Sequence, residues 1–229
     1  MHKEITITQG ELRLSGHLSG GDNDKGWVIF AHGSGSSRLS SRNNWVAQKL
    51  NDLGYGTLLF DLLTPSEDLD YDNRFNLPLL SRRLALATGW LLRSPYYHGQ
   101  PIAFFGASTG AGAALVAASD APAHWPLFGV ISRGGRPDLA GQTALRNVAV
   151  PVLLIVGGED HDVITLNKMA QVHLRNPELR IVEGATHLFE EPGKLGEVVR
   201  LSSEWLDSHL GEARFRRPGG NLDVREVRP

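Results

Sequence analysis

The sequence predicts an α/β fold, with a mostly parallel central sheet covered by helices on both faces. Residues 1–211 form one domain in this reading, and residues 212–229 form a polar tail. Three observations carry it. Short apolar runs alternate along the chain with stretches of helical periodicity, which is the pattern of repeated right-handed βαβ crossovers. The runs are apolar throughout rather than alternating, as in strands buried on both faces. A chain of 229 residues, 41% hydrophobic and 21% charged, suits a single sizeable core.

Taken in order, Ile5 to Thr8 and Glu11 to Leu18 read as an antiparallel entry pair, the second with Leu12, Leu14 and Leu18 at even spacing. Strands follow near 27–31, 56–60, 101–105, 127–131, 152–156 and 179–182. Between them the periodicity predicts helices near 41–53, 77–93, 109–119, 163–175 and 192–210. Trp27, Trp45, Trp90 and Trp205 fall at core-like positions. Leu62 to Asn76, rich in Asp, Pro and Asn, is the one long connection without periodicity; it is expected to border a site, and little room remains for a separate lid. The tail, with Arg216 and Arg217 ahead of Pro218-Gly219-Gly220, is expected to be disordered.

A formal charge of −2 with interspersed signs gives no reason to expect a nucleic-acid or membrane partner. The absence of cysteine excludes disulfides and thiolate metal sites and fits a reducing compartment. Residues 1–10 lack the apolar stretch of a signal peptide, and no span approaches the roughly 18 apolar residues that cross a bilayer. The expected location is cytoplasmic.

The chemistry is concentrated just past strand ends. Gly106-Ala107-Ser108-Thr109-Gly110 reads GxSxG between the apolar run Ile102 to Phe105 and the Ala-rich stretch 111–118. A strand, sharp turn and helix of this kind expose a nucleophilic serine. Ser108 needs an imidazole to take its proton and a carboxylate to orient that imidazole. Both follow in the order Ser, Asp, His. The run Val152 to Val156 leads into Gly157-Gly158-Glu159-Asp160-His161-Asp162, and the run Leu179 to Val182 into Glu183-Gly184-Ala185-Thr186-His187. Asp160 and His187 are therefore the expected acid and base, with Asp162 in reserve as acid or as a helix cap. The strand Val28 to Ala31 opens into His32-Gly33-Ser34-Gly35, whose small residues let the main chain approach a substrate. The N–H groups of Thr109 and Ser34 are the expected oxyanion donors, ahead of Gly33 or Gly35. His32 is expected to anchor this loop. His161 between two aspartates invites a metal reading, but adjacent loop residues rarely aim at one ion, so no metal or other cofactor is expected. Arg133 and Arg136, in a Gly-containing loop after the strand near 127–131, are candidate substrate-binding residues for an anionic group.

Six segments resemble the α/β-hydrolase superfamily, in its compact dienelactone hydrolase-like branch. They are FAHGSGSSR (30–38), TLLFDLLT (57–64), FGASTGAGAAL (105–115), SRGGRPDLAG (132–141), LLIVGGEDHDV (153–163) and GATHLFEEPG (184–193). The chain is similar also to small bacterial hydrolases found beside or fused to phosphoribosyltransferase domains. The resemblance implies the α/β-hydrolase fold with minimal lid, a Ser108–His187–Asp160 triad and association with a phosphoribosyltransferase. The GxDxxV spacing of similar hydrolases falls on Asp160 and Val163. Dienelactone hydrolase proper uses a cysteine nucleophile, and this chain carries Ser108, so the namesake substrate is not implied. The expected activity is hydrolysis of a small ester or thioester. The alternative is a hydrolase-fold ligand-binding or partner domain with little turnover.

Overall fold

The computed structural model describes residues 1–21 and 24–215. Eight strands form one sheet: β1 (His2–Gln9), β2 (Leu12–Ser19), β3 (Trp27–Ala31), β4 (Gly56–Phe60), β5 (Ile102–Ala107), β6 (Leu127–Arg133), β7 (Val152–Gly157) and β8 (Pro177–Val182). Their spatial order is β1-β2-β4-β3-β5-β6-β7-β8. The pairs β1–β2 and β2–β4 are antiparallel, and every pair from β4 to β8 is parallel. This is the α/β-hydrolase architecture that the segments implied.

The continuous apolar runs are explained by what covers them. On β3, Val28 and Phe30 pack on one face with Val46 and Leu50 of α1 (Ser41–Asp52) and Val198 and Leu206 of α6 (Lys194–Phe215). Trp27 and Ile29 point the other way, into a core shared with α2 (Leu77–Arg93), α3 (Thr109–Ser119), α4 (Gly141–Asn147) and α5 (His161–Gln171). Successive residues thus serve opposite cores, and no position along the central strands can be polar without cost.

The chain leaves β3 for β4 on one side, then crosses to β5 on the other. At such a switch point the loops past adjacent strand ends diverge and open a crevice. The loops after β3 and β5 carry the expected oxyanion donors and the expected nucleophile.

Some features differ from expectation. The 62–76 connection is not irregular throughout: it winds into 3-10 turns at Glu67–Leu69 and Tyr71–Phe75. Ion pairs hold them, Arg74 to Asp68 at 2.8 Å and Arg83 to Glu67 at 2.5 Å. Short helix α4 has too few turns to show a period. Trp45 is 38% exposed on the outer side of α1, whereas Trp27 and Trp205 are buried. Helix α6 runs on to Phe215, past the expected boundary at 211, and the tail from 216 lies outside the described residues. Among the described residues, no helix is long and apolar enough to cross a membrane.

Candidate active site

Ser108 joins β5 to α3 with φ 50° and ψ −122°, one of two non-glycine residues with positive φ among those described. A β-substituted residue adopts such torsions only where its surroundings impose them. Here they do: the Ser108 N–H donates to the Arg133 carbonyl at 3.2 Å, and its carbonyl accepts from Ala111 and Arg136 at 3.0 and 3.1 Å. The flanking glycines are required by contact. A Cβ on Gly106 would lie 2.4 Å from Ala111 Cα, and one on Gly110 only 2.2 Å from the Ala31 carbonyl oxygen. Strand, turn and helix therefore pack tightly enough to lift the serine out of the sheet. Ser108 makes no cap hydrogen bond to α3, so its hydroxyl is not spent on the helix.

Asp160 and His187 meet, as their positions past β7 and β8 implied. His187 Nδ1 and Asp160 Oδ2 are 2.6 Å apart. Asp160 occupies the N-cap position of α5 yet makes no side-chain cap bond; its carboxylate turns to the imidazole instead. Glu159 and Asp162 are exposed, and neither takes that place. A carboxylate accepting from Nδ1–H leaves the lone pair on Nε2, the nitrogen that can accept a proton.

The loop around His187 is braced from both sides. Glu191 Oε1 accepts from the Thr186 hydroxyl at 2.6 Å and from its N–H at 3.1 Å, and the hydroxyl bond lowers the Glu191 pKa. Phe189, at φ 57°, is buried beneath. Gly134 links His187 to Ser108: a Cβ there would sit 3.0 Å from the His187 carbonyl oxygen and 3.6 Å from its Cε1, and Gly134 directly follows the Arg133 carbonyl that binds Ser108.

The loop after β3, which carries the expected oxyanion donors, closes the other side. A Cβ on Gly33 would come within 3.2 Å of Ser108 Cβ and of the Ala107 carbonyl oxygen, so a side chain there would crowd this loop against Ser108. Thr109 is the first residue of α3, where an N–H has no intrahelical acceptor. Ser34 is next to Gly33 in the turn closed by Ser36 N–H to the Gly33 carbonyl at 3.2 Å. His32 anchors the loop. Its Nδ1 lies 2.9 Å from the Gly33 carbonyl oxygen and its Nε2 accepts from Leu62 N–H at 3.0 Å; burial pushes its pKa down, which keeps it neutral. Asp61, unremarked in the sequence, accepts from Arg38 N–H at 2.8 Å and pairs with its guanidinium at 2.5 Å. Its place at the end of β4 and the Arg in FAHGSGSSR were the available signals.

Neither arginine of the 132–141 segment extends a free fork to solvent. Arg136 is engaged in two bonds to Asp138, at 2.8 and 2.7 Å. Arg133 is 7% exposed and donates from Nη2 to Asn43 Oδ1 at 3.2 Å. Among the described residues, no cluster of His, Cys, Asp or Glu could hold a metal ion.

A doubly covered sheet, with a strained serine at its switch point and a carboxylate-bound histidine in the loop after β8, is the architecture of the α/β-hydrolase fold. A dienelactone hydrolase from Anabaena variabilis is similar at 46% identity, with a TM-score of 0.86 over 91% of this chain and 98% of that one. The chain belongs to the dienelactone hydrolase-like family of α/β hydrolases. Est1E from Butyrivibrio proteoclasticus, 14% identical with a TM-score of 0.77, covers 91% of this chain and 99% of its own and shares the fold. A Mycobacterium tuberculosis protein provisionally named a phosphoribosyl transferase is 50% identical over 209 residues, or 91% of this chain. Those residues span only 46% of that protein, so the chain is about half the length of the curated relatives it matches. No family model matches the sequence.

Proposed function

We propose that the chain is a cofactor-free serine hydrolase of small esters or thioesters. The observation that carries this reading is the His187–Asp160 bond at 2.6 Å, together with Gly134, which packs against His187 and follows the Arg133 carbonyl that holds the strained Ser108 turn. Ser108 Oγ attacks the carbonyl carbon as His187 Nε2 takes its proton, and the N–H groups of Thr109 and Ser34 receive the oxyanion. Collapse breaks the bond to the leaving group, which departs with the proton from His187. Water then attacks the acyl-enzyme, giving its proton to His187 and releasing the acid and free Ser108.

The 62–76 segment, tied down by ion pairs, winds into two 3-10 turns rather than a separate lid domain, which favours small acyl groups. Nitrophenyl esters and thioesters of graded chain length test the reading. Turnover should be highest for the shortest chains and almost lost in Ser108→Ala; equal turnover in wild type and variant would remove Ser108 as the nucleophile, and no turnover of any member of the set would leave only a ligand-binding domain. The length of the mycobacterial relatives supports a second proposal, that the chain works in the cytoplasm beside a phosphoribosyl transferase. Co-purification with such a protein encoded nearby would test it.

A further inference from the structure

Asn167 is a buried polar side chain for which packing alone gives no reason. It is fully buried on α5, two turns after Asp160 at the N-cap. Its Nδ2 donates to two carbonyls, that of Val163 one turn back at 2.8 Å and that of Gly135 in the loop after β6 at 3.0 Å. Two carbonyl acceptors fix the orientation of the amide, since the opposite flip would set oxygen against oxygen. Oδ1 is left with no partner, an unsatisfied acceptor that a leucine of similar volume would not bury. The amide is therefore retained at a cost, and what it supplies in return is the bond that leaves its helix, to Gly135.

That bond reaches Ser108 through one rigid unit. The Gly135 carbonyl and the Arg136 N–H belong to the same planar peptide. Its oxygen accepts from Asn167, and its N–H donates to the Ser108 carbonyl at 3.1 Å. The unit is tightly enclosed: a Cβ on Gly135 would lie 1.9 Å from Ser132 Oγ and 2.5 Å from Ala111 Cβ. A second tie on this side runs from Gly134 N–H to the Ile155 carbonyl of β7 at 2.8 Å. β7 and α5 are the elements that flank Asp160, so both ties come from the supports of the expected acid. The same 133–136 segment supplies two of the bonds that hold Ser108 at positive φ, the Arg133 carbonyl on its N–H and the Arg136 N–H on its carbonyl. A strained turn persists only while its surroundings over-determine it. We infer that Asn167 is a positioning residue for the triad: it locks the 135–136 peptide to the helix that begins at Asp160, and so fixes the Ser108 turn relative to the Asp160–His187 pair. It touches no reacting atom. Loss of the tie lets the turn relax away from its imposed torsions, and misplacement of a nucleophile lowers the rate.

The inference rests on the serine-hydrolase reading, and its test separates the two. Asn167→Ser, Asn167→Leu and Thr88→Val are made in the full chain. Steady-state hydrolysis of p-nitrophenyl acetate, the rate of fluorophosphonate labelling at Ser108 and Tm are measured for each. A serine hydroxyl can still bond the Val163 carbonyl one turn back but is too short to reach Gly135, so this variant removes the tie and keeps the bond within the helix. Leucine removes both. Thr88 is as buried, in α2, and its hydroxyl donates to the Leu84 carbonyl of the same helix at 2.9 Å; its variant gauges the loss of a buried helix bond away from the site. Both Asn167 variants should lower kcat and the labelling rate about ten- to hundredfold with KM nearly unchanged. Thr88→Val should lower Tm and keep kcat within about twofold. Wild-type kcat in folded Asn167→Ser would overturn the inference, whatever the Leu variant does, and so would an effect confined to KM. Failure of both Asn167 variants to fold would assign the residue to stability alone and overturn it as well. A wild type that neither hydrolyses the ester nor takes the label, or turnover that survives in Ser108→Ala, would refute the serine-hydrolase reading itself, and the inference with it.

Discussion

Replacing Asp160 by Asn isolates the acid from the rest of the site. Asp160 Oδ2 lies 2.6 Å from His187 Nδ1, short for a nitrogen–oxygen hydrogen bond and in the range where one partner carries charge. An asparagine in the same rotamer can present its amide nitrogen to Nδ1. That arrangement favours the tautomer with the proton on Nε2, which cannot accept from serine. Even with the amide flipped, the imidazolium formed during attack loses its counter-charge. The combined effect should lower kcat by up to about 10⁴-fold. Folding should be little affected, because the carboxylate makes no cap bond to α5 and its replacement is isosteric. The assay is steady-state hydrolysis of p-nitrophenyl acetate with a parallel thermal melt, and Asp162→Asn as the control. Asp162 is exposed in the first turn of α5, so its variant should keep activity within about twofold, losing at most a weak favourable interaction with the helix dipole. A larger loss from Asp162→Asn than from Asp160→Asn would refute the assignment of the acid.

Ser108→Ala and His187→Ala should each lower kcat by about 10⁴- to 10⁶-fold, and the double variant should be little worse than either; multiplicative losses would show that the two do not act as a unit. His32 should make stability pH-dependent. Its pKa is lowered in the fold, so the unfolded chain binds the proton first, and stability should decline as pH falls below about 6.5. His17, lowered mainly by burial, adds to the same trend. In His32→Gln the melting temperature should drop less between pH 7.5 and 5.5 than in wild type; equal slopes would exclude His32 as a contributor. Arg136→Gln, which removes a guanidinium already held by Asp138, should change KM for neutral and carboxylate-bearing esters by equal, small factors. A roughly tenfold rise for the anionic ester alone would restore Arg136 as an anion grip.

Most of the candidate site's positions were legible because its residues follow strand ends, and strand ends are marked by local signals: an apolar run, then glycine. Gly106 and Gly110 bracket Ser108 because their neighbours leave no room for a Cβ, so steric need is written directly into the motif. Choosing Asp160 over Asp162 required family spacing, since neighbouring carboxylates look alike until the helix that follows fixes their directions. Helix α4 and the 3-10 turns of 67–75 were missed because pieces this short have no measurable period and are held by tertiary ion pairs such as Arg83–Glu67. The state of Arg133 was also invisible. A loop arginine beside glycines reads as exposed, and only the path of α1 across the sheet buries it against Asn43. Trp45 misled for the opposite reason: an aromatic ring in an amphipathic helix looks like core, but this one lies on the outer face.

The central claim is that Ser108 is an activated nucleophile. A fluorophosphonate probe forms a bond from a serine Oγ to phosphorus with loss of fluoride, and does so quickly only where a base takes the hydroxyl proton. Intact-mass and peptide mapping after brief labelling should find one adduct, on Ser108, in the wild type, and none in Ser108→Ala or His187→Ala. An unlabelled Ser108 in folded protein, or equal labelling in His187→Ala, would contradict the account.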